Sequence, residues 1–558
     1  MSAPATGAKP REQWSGQLGF LLAAIGSAVG LGNIWRFPGV AYDNGGGAFL
    51  IPYLVALLTA GIPILFLDYA LGHKYRGSAP AVFRRLHKRA EPLGWFQVLI
   101  AFFITTYYAV VIAWAASYVW FSVNKAWGDD PVSFLVEDYL QLGSPEIGFD
   151  FVPAVLIPLI GVWILVLFIM LGGVQKGLER ANKIFLPLLV ILFAGLVVRA
   201  LTLPGAVDGL NAFFTPDFEA LLHPGVWIAA YGQIFFSLSI AFGIMLTYAS
   251  YLPKRSNLGG TGLVAAFANS SFEILAGIGV FAALGFMAMQ QATTVDQLEG
   301  ITGVGLSFMT FPALINEMPG GPIFGVLFFS SLVLAGLTSI ISLLEVITAA
   351  VQEKFDLSRT VVVSSVGGFM AVVSVLFYST TNGLNLLDVV DKWVNEIGIV
   401  LSAIVMTILV TYVLRALPKL QRHLNGVSGF EIGGWWKLMI GVITPIMLIV
   451  MLSATVLALL REPYEGYPAW FLGSFGWGVL AAMVIGAFVF TFIPWRTDVD
   501  ARSEYDDDEG LPVHSVLPPE DRTYGPPQTT HPDDHYRPGT DPDTGRPPGM
   551  PRHDRKDT

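Results

Sequence analysis

What most restricts this chain is the recurrence of long apolar runs, each sufficient for a helix of about 20 residues that crosses a bilayer. Twelve are read, at roughly 17–40, 48–72, 94–124, 151–173, 182–203, 225–251, 258–289, 324–355, 360–380, 388–416, 436–460 and 468–494, numbered here as spans 1 to 12. Backbone in hydrocarbon must satisfy its own hydrogen bonds, so the fold class is an all-α polytopic membrane protein with the lipid bilayer as its solvent. Composition agrees, with 54% of 558 residues hydrophobic and 13% charged. Cysteine is absent, which removes disulfides, iron–sulfur clusters and thiolate zinc sites. The formal charge of -10 offers nucleic acid no basic surface.

Lysine and arginine bias sets the orientation. The loop after span 2 carries Lys74, Arg76, Arg84, Arg85, Lys88 and Arg89, and alternate loops repeat the theme, whereas Asp129, Asp130, Glu137, Asp138, Glu146 and Asp150 lie on the other side. Both termini are therefore expected in the cytoplasm of a cell (plasma) membrane protein. Residues 1–16 form a short N-terminal segment without a signal-peptide pattern, 17–495 the membrane domain, and 496–558 a tail rich in Pro, Asp and Gly. Such a tail cannot bury enough apolar surface to fold and is expected to be disordered. Within it, His531 and His535 flank Asp533 and Asp534 at a metal-like spacing, but no helix aligns them and they are read as solvated.

Two spans are interrupted. Span 1 contains Gly26-Ser27-Ala28-Val29-Gly30-Leu31-Gly32-Asn33, and span 6 contains Phe236-Ser237-Leu238-Ser239-Ile240-Ala241-Phe242-Gly243. Glycine weakens a helix by about 1 kcal/mol relative to alanine, so the first stretch invites unwinding. Unwound backbone at membrane depth is tolerated where it lines a site for an ion or polar ligand, and paired interruptions point to a secondary-transporter site. Gly26 and Gly30 also fit the small-xxx-small spacing of close helix packing, and the glycines alone leave both readings open.

Further residues carry a resemblance. Leu31-Gly32-Asn33-Ile34-Trp35-Arg36-Phe37-Pro38 and Asn44-Gly45-Gly46-Gly47-Ala48-Phe49 resemble the signature of the neurotransmitter:sodium symporters, in their bacterial amino-acid branch. Trp227 to Phe236, Asn269-Ser270-Ser271 and Ala335-Gly336-Leu337-Thr338-Ser339 extend the likeness over nearly all of 11–495. The resemblance implies the leucine-transporter fold, with spans 1–5 and 6–10 as inverted repeats. It also implies a function: a sodium-coupled symporter that takes up a neutral hydrophobic L-amino acid by alternating access.

Two sodium sites follow from the resemblance. One uses the Ala28 carbonyl, Asn33, Ser237, Asn269 and a substrate carboxylate oxygen. The other uses carbonyls of Gly26, Val29 and Ala335 with the hydroxyls of Thr338 and Ser339. All are oxygen donors, as a hard cation requires. For the substrate, the N–H groups of Leu31 and Gly32 and the Tyr108 hydroxyl would meet a carboxylate at a half-helix N-terminus. Carbonyls near Ala28 and Phe236, with Ser239, would take the ammonium. Ser27, Ile104, Tyr108, Phe236, Phe242, Ser339 and Leu343 would frame an apolar side chain, although any one aromatic alone reads equally as packing surface. Gly30 stands where the monoamine branch has aspartate, which argues for an amino acid. Ala241 replaces the leucine transporter's glycine.

Glu273 stands where chloride-requiring relatives have serine. A fixed negative charge there implies that chloride is not needed, and a carboxyl there is also a candidate for proton return or for a permanent structural pair. Arg36 and Asp391, helped by Gln233, match the extracellular gate. Arg11, Trp14, Tyr251 and Glu353 match the cytoplasmic one. Asp68 aligns with a longer family glutamate that accepts N–H groups of unwound span 6, and Glu345 is a second candidate to brace that region. Gly177 and Pro187 match a family spacing in span 5 linked to unwinding, and equally suit a static kink. No metal cluster, nucleophile elbow or phosphate loop suggests an enzyme. A proton-coupled relative or a non-transporting amino-acid sensor are the alternatives, and Thr338 with Ser339 argues against the first. The preferred amino acid and the oligomeric state are not legible.

Overall fold

The computed structural model describes residues 12–298 and 303–500; Arg11 and the histidines of the tail lie outside the described residues. Among the described residues, ten helices are long and apolar enough to cross a membrane. Gln17–Ala28 and Gly32–Asp43 make an eleventh span, bent by 51° at its break. The twelfth is span 6, whose halves Pro224–Ser237 and Ile244–Ser250 are each too short to qualify alone. The expected boundaries agree with the observed helices within a few residues, except at span 5. That helix begins at Val174, eight residues before the expected 182, because Lys176, Glu179, Arg180 and Lys183 sit on its first turns and hide them from a hydropathy reading. Gly177 lies in the π-helical turn Val174–Glu179 and Pro187 in the continuous helix that follows, so span 5 is wound throughout.

Burial sorts the spans into core and rim. The apolar windows of spans 3 and 8 are 83% and 72% buried, whereas those of spans 11 and 12 are 22% buried and present their side chains outward. Spans 3 and 8 pack along each other, and span 1 lies against spans 5, 7 and 8. The broken spans 1 and 6 are thus held among the best-buried helices.

On the basic face, the stretch expected to open the free tail is held down as far as Asp500. Glu91 Oε1 accepts from Lys354 Nζ at 2.7 Å, Trp495 Nε1 at 2.8 Å and Trp95 Nε1 at 3.1 Å, while Oε2 accepts from Arg84 at 2.9 Å. Lys354 Nζ lies 4.5 Å from the Trp495 ring centre. Beyond it, Thr497 donates to the Glu353 carbonyl at 3.0 Å, and the Val499 carbonyl accepts from Arg85 Nε at 2.7 Å.

Candidate functional site

The two breaks face one another. In span 1 helical geometry ends at Ala28 and resumes at Gly32 as a π-helical turn. In span 6 the break carries left-handed backbone at Ser239 (φ 53°), Ala241 (φ 65°) and Gly243 (φ 89°). Left-handed conformations cost L-residues roughly 1–2 kcal/mol each, so Ser239 and Ala241 must be held from outside. Ala241 is gripped at both ends: its N–H donates to Asp68 Oδ2 at 3.0 Å, and its carbonyl accepts from Ser402 Oγ at 2.6 Å. The shorter Asp68 side chain therefore reaches the unwound strand. The Ser27 carbonyl, freed by the first break, accepts from Ser239 Oγ at 3.1 Å and from Ser339 Oγ at 3.4 Å.

Between the breaks lies a small cavity of about 40 Å³. Ser27, Ala28, Gly30, Gly32, Ile104, Tyr108, Phe236, Ser237, Ser239, Phe242, Ser339 and Leu343 all line it. Leu31 is absent from the wall, yet its N–H donates to the Tyr108 hydroxyl at 3.2 Å and aims that group at the cavity. Gly30 is closely faced by side chains: a Cβ there would lie 2.6 Å from Ser339 Oγ and 3.1 Å from the Tyr108 hydroxyl, so both would have to give way. The reading missed Ile244, Asn395 and Ile399, which complete the wall. Asn395 was findable, as an amide in an apolar span four residues after Asp391 and so on the same helical face.

Asn33, Ser237 and Asn269 come together as the resemblance implied. Asn33 Nδ2 donates to Asn269 Oδ1 at 2.8 Å, Asn269 Nδ2 donates to Ser237 Oγ at 3.2 Å, and Asn33 Oδ1 accepts from the Gly30 N–H at 2.8 Å. All three side chains are buried, and in the empty site they bond to one another, so their oxygens are gathered at one point from which a guest could draw them. Of the second set, Gly26 faces Thr338 across spans 1 and 8, while Ser339 Oγ is turned to the Ser27 carbonyl. There Thr338 Oγ1 donates to the Ala335 carbonyl at 2.9 Å. Ser27 Oγ and Asn182 Oδ1, buried beside these sets, have no hydrogen-bond partner, which fits a polar guest.

Glu273 is fully buried. Its carboxylate accepts from the Tyr53 hydroxyl, from Gln233 Nε2 at 2.6 Å and from Ser237 Oγ at 3.4 Å. Gln233 thus has a contact that the sequence reading did not give it. A buried carboxylate draws its amide N–H with a charge-assisted bond, so Gln233 braces Glu273, while its Oε1 has no hydrogen-bond partner.

The gates are in different conditions. Arg36 lies over the Phe236 ring at 4.5 Å, and Asp391 Oδ1 accepts from Asn395 Nδ2 at 2.6 Å. Among the described residues no ion pair joins Arg36 to Asp391, so the expected outer pair stands apart. On the basic side, Trp14 is buried, and its ring N–H donates to the Tyr248 carbonyl at 2.9 Å. The Tyr251 hydroxyl donates to Glu345 Oε1 at 2.7 Å, and Arg359 bonds Glu345 Oε2 at 2.6 Å. Glu345 thus braces the basic end of span 6, not its unwound middle. Glu353 pairs with Arg85 at 3.0 Å and accepts from the Ser78 N–H at 2.8 Å. These contacts tie the basic ends of spans 1, 6 and 8 together.

A model of the "Sodium:neurotransmitter symporter family" matches residues 11–134 and 127–497. An uncharacterized sodium-dependent transporter of Methanocaldococcus jannaschii is 40% identical over 486 residues, 87% of this chain and 97% of that protein. A sodium- and chloride-dependent glycine transporter 2 of Xenopus laevis is 28% identical, over 86% of this chain and 68% of that protein. Among solved structures, that of MhsT in complex with L-phenylalanine aligns with a TM-score of 0.69 and 32% identity, covering 80% of this chain and 100% of that one.

Proposed function

The chain belongs to the sodium:neurotransmitter symporter family, one of sodium-dependent membrane transporters and not enzymes, and on that premise we propose that it takes up a neutral hydrophobic L-amino acid by alternating access, with two sodium ions and without chloride. The observation that carries this is the cavity between the two breaks. One end is polar, with Tyr108 and the start of the resumed helix at Gly32 placed for a carboxylate. The remainder is walled by Ile104, Phe236, Phe242, Ile244, Leu343 and Ile399, which suits an apolar side chain. Gly30 keeps the main chain close to Ser339 and Tyr108 and leaves the wall there without the side-chain carboxylate that a monoamine would need. L-phenylalanine in MhsT is a molecule of the same class.

Sodium, when bound, supplies positive charge beside the substrate carboxylate. Asn33, Ser237, Asn269 and the Ala28 carbonyl would hold one ion, and Gly26, Val29, Ala335, Thr338 and Ser339 the other. Glu273 supplies the negative charge that a chloride ion would otherwise bring, through Ser237, which it shares with the first set. Arg36 and Asp391 would close the acidic side over the substrate, and opening of the Trp14 and Tyr251 contacts would release it to the basic side. That side is read as cytoplasmic, with both termini on it, in the plasma membrane.

The test is uptake of a labelled amino-acid panel into proteoliposomes, with sodium and chloride replaced in turn. Uptake that requires sodium and ignores chloride is expected. Uptake without sodium overturns the coupling in favour of protons, and sodium-dependent binding without uptake makes the protein a sensor.

A further inference from the structure

Asn182, near the start of the helix Arg180–Leu201 in span 5, is wholly buried and belongs to none of the sets above. Its Nδ2 donates to the Leu178 carbonyl at 2.9 Å. A carbonyl only accepts, so this bond fixes which end of the amide faces it and turns Oδ1 the other way. Oδ1 has no hydrogen-bond partner there. It points at Gly26, where an added Cβ would overlap it, lying 3.2 Å from Asn182 Cγ and 3.6 Å from Thr338 Cβ. The amide of span 5 and Thr338 of span 8 thus converge on one face of Gly26 in span 1.

Leaving a buried acceptor unpaired costs roughly 1–3 kcal/mol. A leucine would fill the same volume without that cost, so packing does not account for the oxygen. A cation at the meeting point of the three spans does, since hard cations collect several oxygen ligands. We infer that Asn182 Oδ1 is a further oxygen ligand of the second sodium site, so that span 5 grips the ion that spans 1 and 8 hold. The inference rests on the two-site sodium reading above.

The test titrates the thermal stability of the purified full-length protein with sodium chloride, choline chloride keeping the ionic strength constant, because a bound ion stabilises the folded state by mass action. Asn182→Ala and Asn182→Leu are expected to raise the half-maximal sodium concentration about tenfold. Asn182→Leu should melt no lower than the parent in choline, which separates ligation from packing. Combining Asn182→Ala with Thr338→Ala should cost less than the product of the single effects, as for two ligands of one ion. Midpoints within about twofold of the parent in both single variants, or independent multiplication of the two effects, overturn the inference. A parent protein that sodium does not stabilise overturns the two-site reading itself, and is told apart because it shows before any variant is made.

Discussion

If Glu273 stands in for chloride as proposed, replacing it by serine should make sodium binding chloride-dependent. The carboxylate is fully buried and held by Tyr53, Gln233 and Ser237, the last at 3.4 Å and shared with the first oxygen cradle. For a cation held within roughly 6 Å of the carboxylate, Coulomb's law at an effective dielectric constant of about 20 gives about 3 kcal/mol. Losing it weakens sodium binding about 100-fold. Serine also vacates space lined by the Tyr53 hydroxyl and the Gln233 amide, donors that suit a halide. The assay is sodium titration of labelled amino-acid binding, in gluconate and in chloride. Wild type should give one sodium affinity in both salts, and Glu273→Ser a roughly 100-fold weaker one in gluconate that chloride largely restores. Glu273→Gln removes the charge but fills the space, so chloride should not rescue it. Equal sodium affinity of Glu273→Ser and wild type in gluconate would refute the electrostatic reasoning.

Gly30→Ala should weaken amino-acid binding more than about tenfold while sodium still raises the melting temperature, since its Cβ would lie 2.6 Å from Ser339 Oγ. Asp68→Ala strips the acceptor from the Ala241 N–H, and should cost about 1–3 kcal/mol, read as a lower melting temperature in choline. His423 lies in the helix Leu417–Val427 between spans 10 and 11, where burial, with Lys74, Arg76 and Lys419 beside it, holds its imidazole down at about 3. A histidine kept neutral by folding contributes stability that is lost as pH falls below its unfolded value of about 6.5, by up to about 1.4 kcal/mol per pH unit. His423→Gln should therefore flatten the fall in melting temperature between about pH 7 and pH 5.

Some of this architecture is written locally and some is not. Span lengths follow from apolar runs, and the breaks from residues that weaken a helix where they stand, so Gly26 to Asn33 and Ser237 to Gly243 were legible. The interior of the cavity was legible too, through a resemblance dense enough to carry residues over one by one. Partner choice was not. Gln233 is 40 residues from Glu273, and Ser402 lies 161 from Ala241, so only the folded chain reveals those pairs. Span 5 began earlier than expected because its first turns pair their charges, Lys183 with Glu179 at 2.5 Å, and so resemble a loop. Asn182 gave no signal at all, being an ordinary polar residue among those charges.

Glu91 gathers Trp95, Lys354 and Trp495 on one oxygen, and so fixes where the chain can be cut or extended. A fluorescent protein fused directly after residue 494, or a stop codon there, would remove the Trp495 ring from Lys354 and strip Thr497 and Val499 from their partners. Lys354, buried against Glu91, would then face water across the end of span 8. A reporter attached after Asp500 leaves that cluster whole, and is the place to put one.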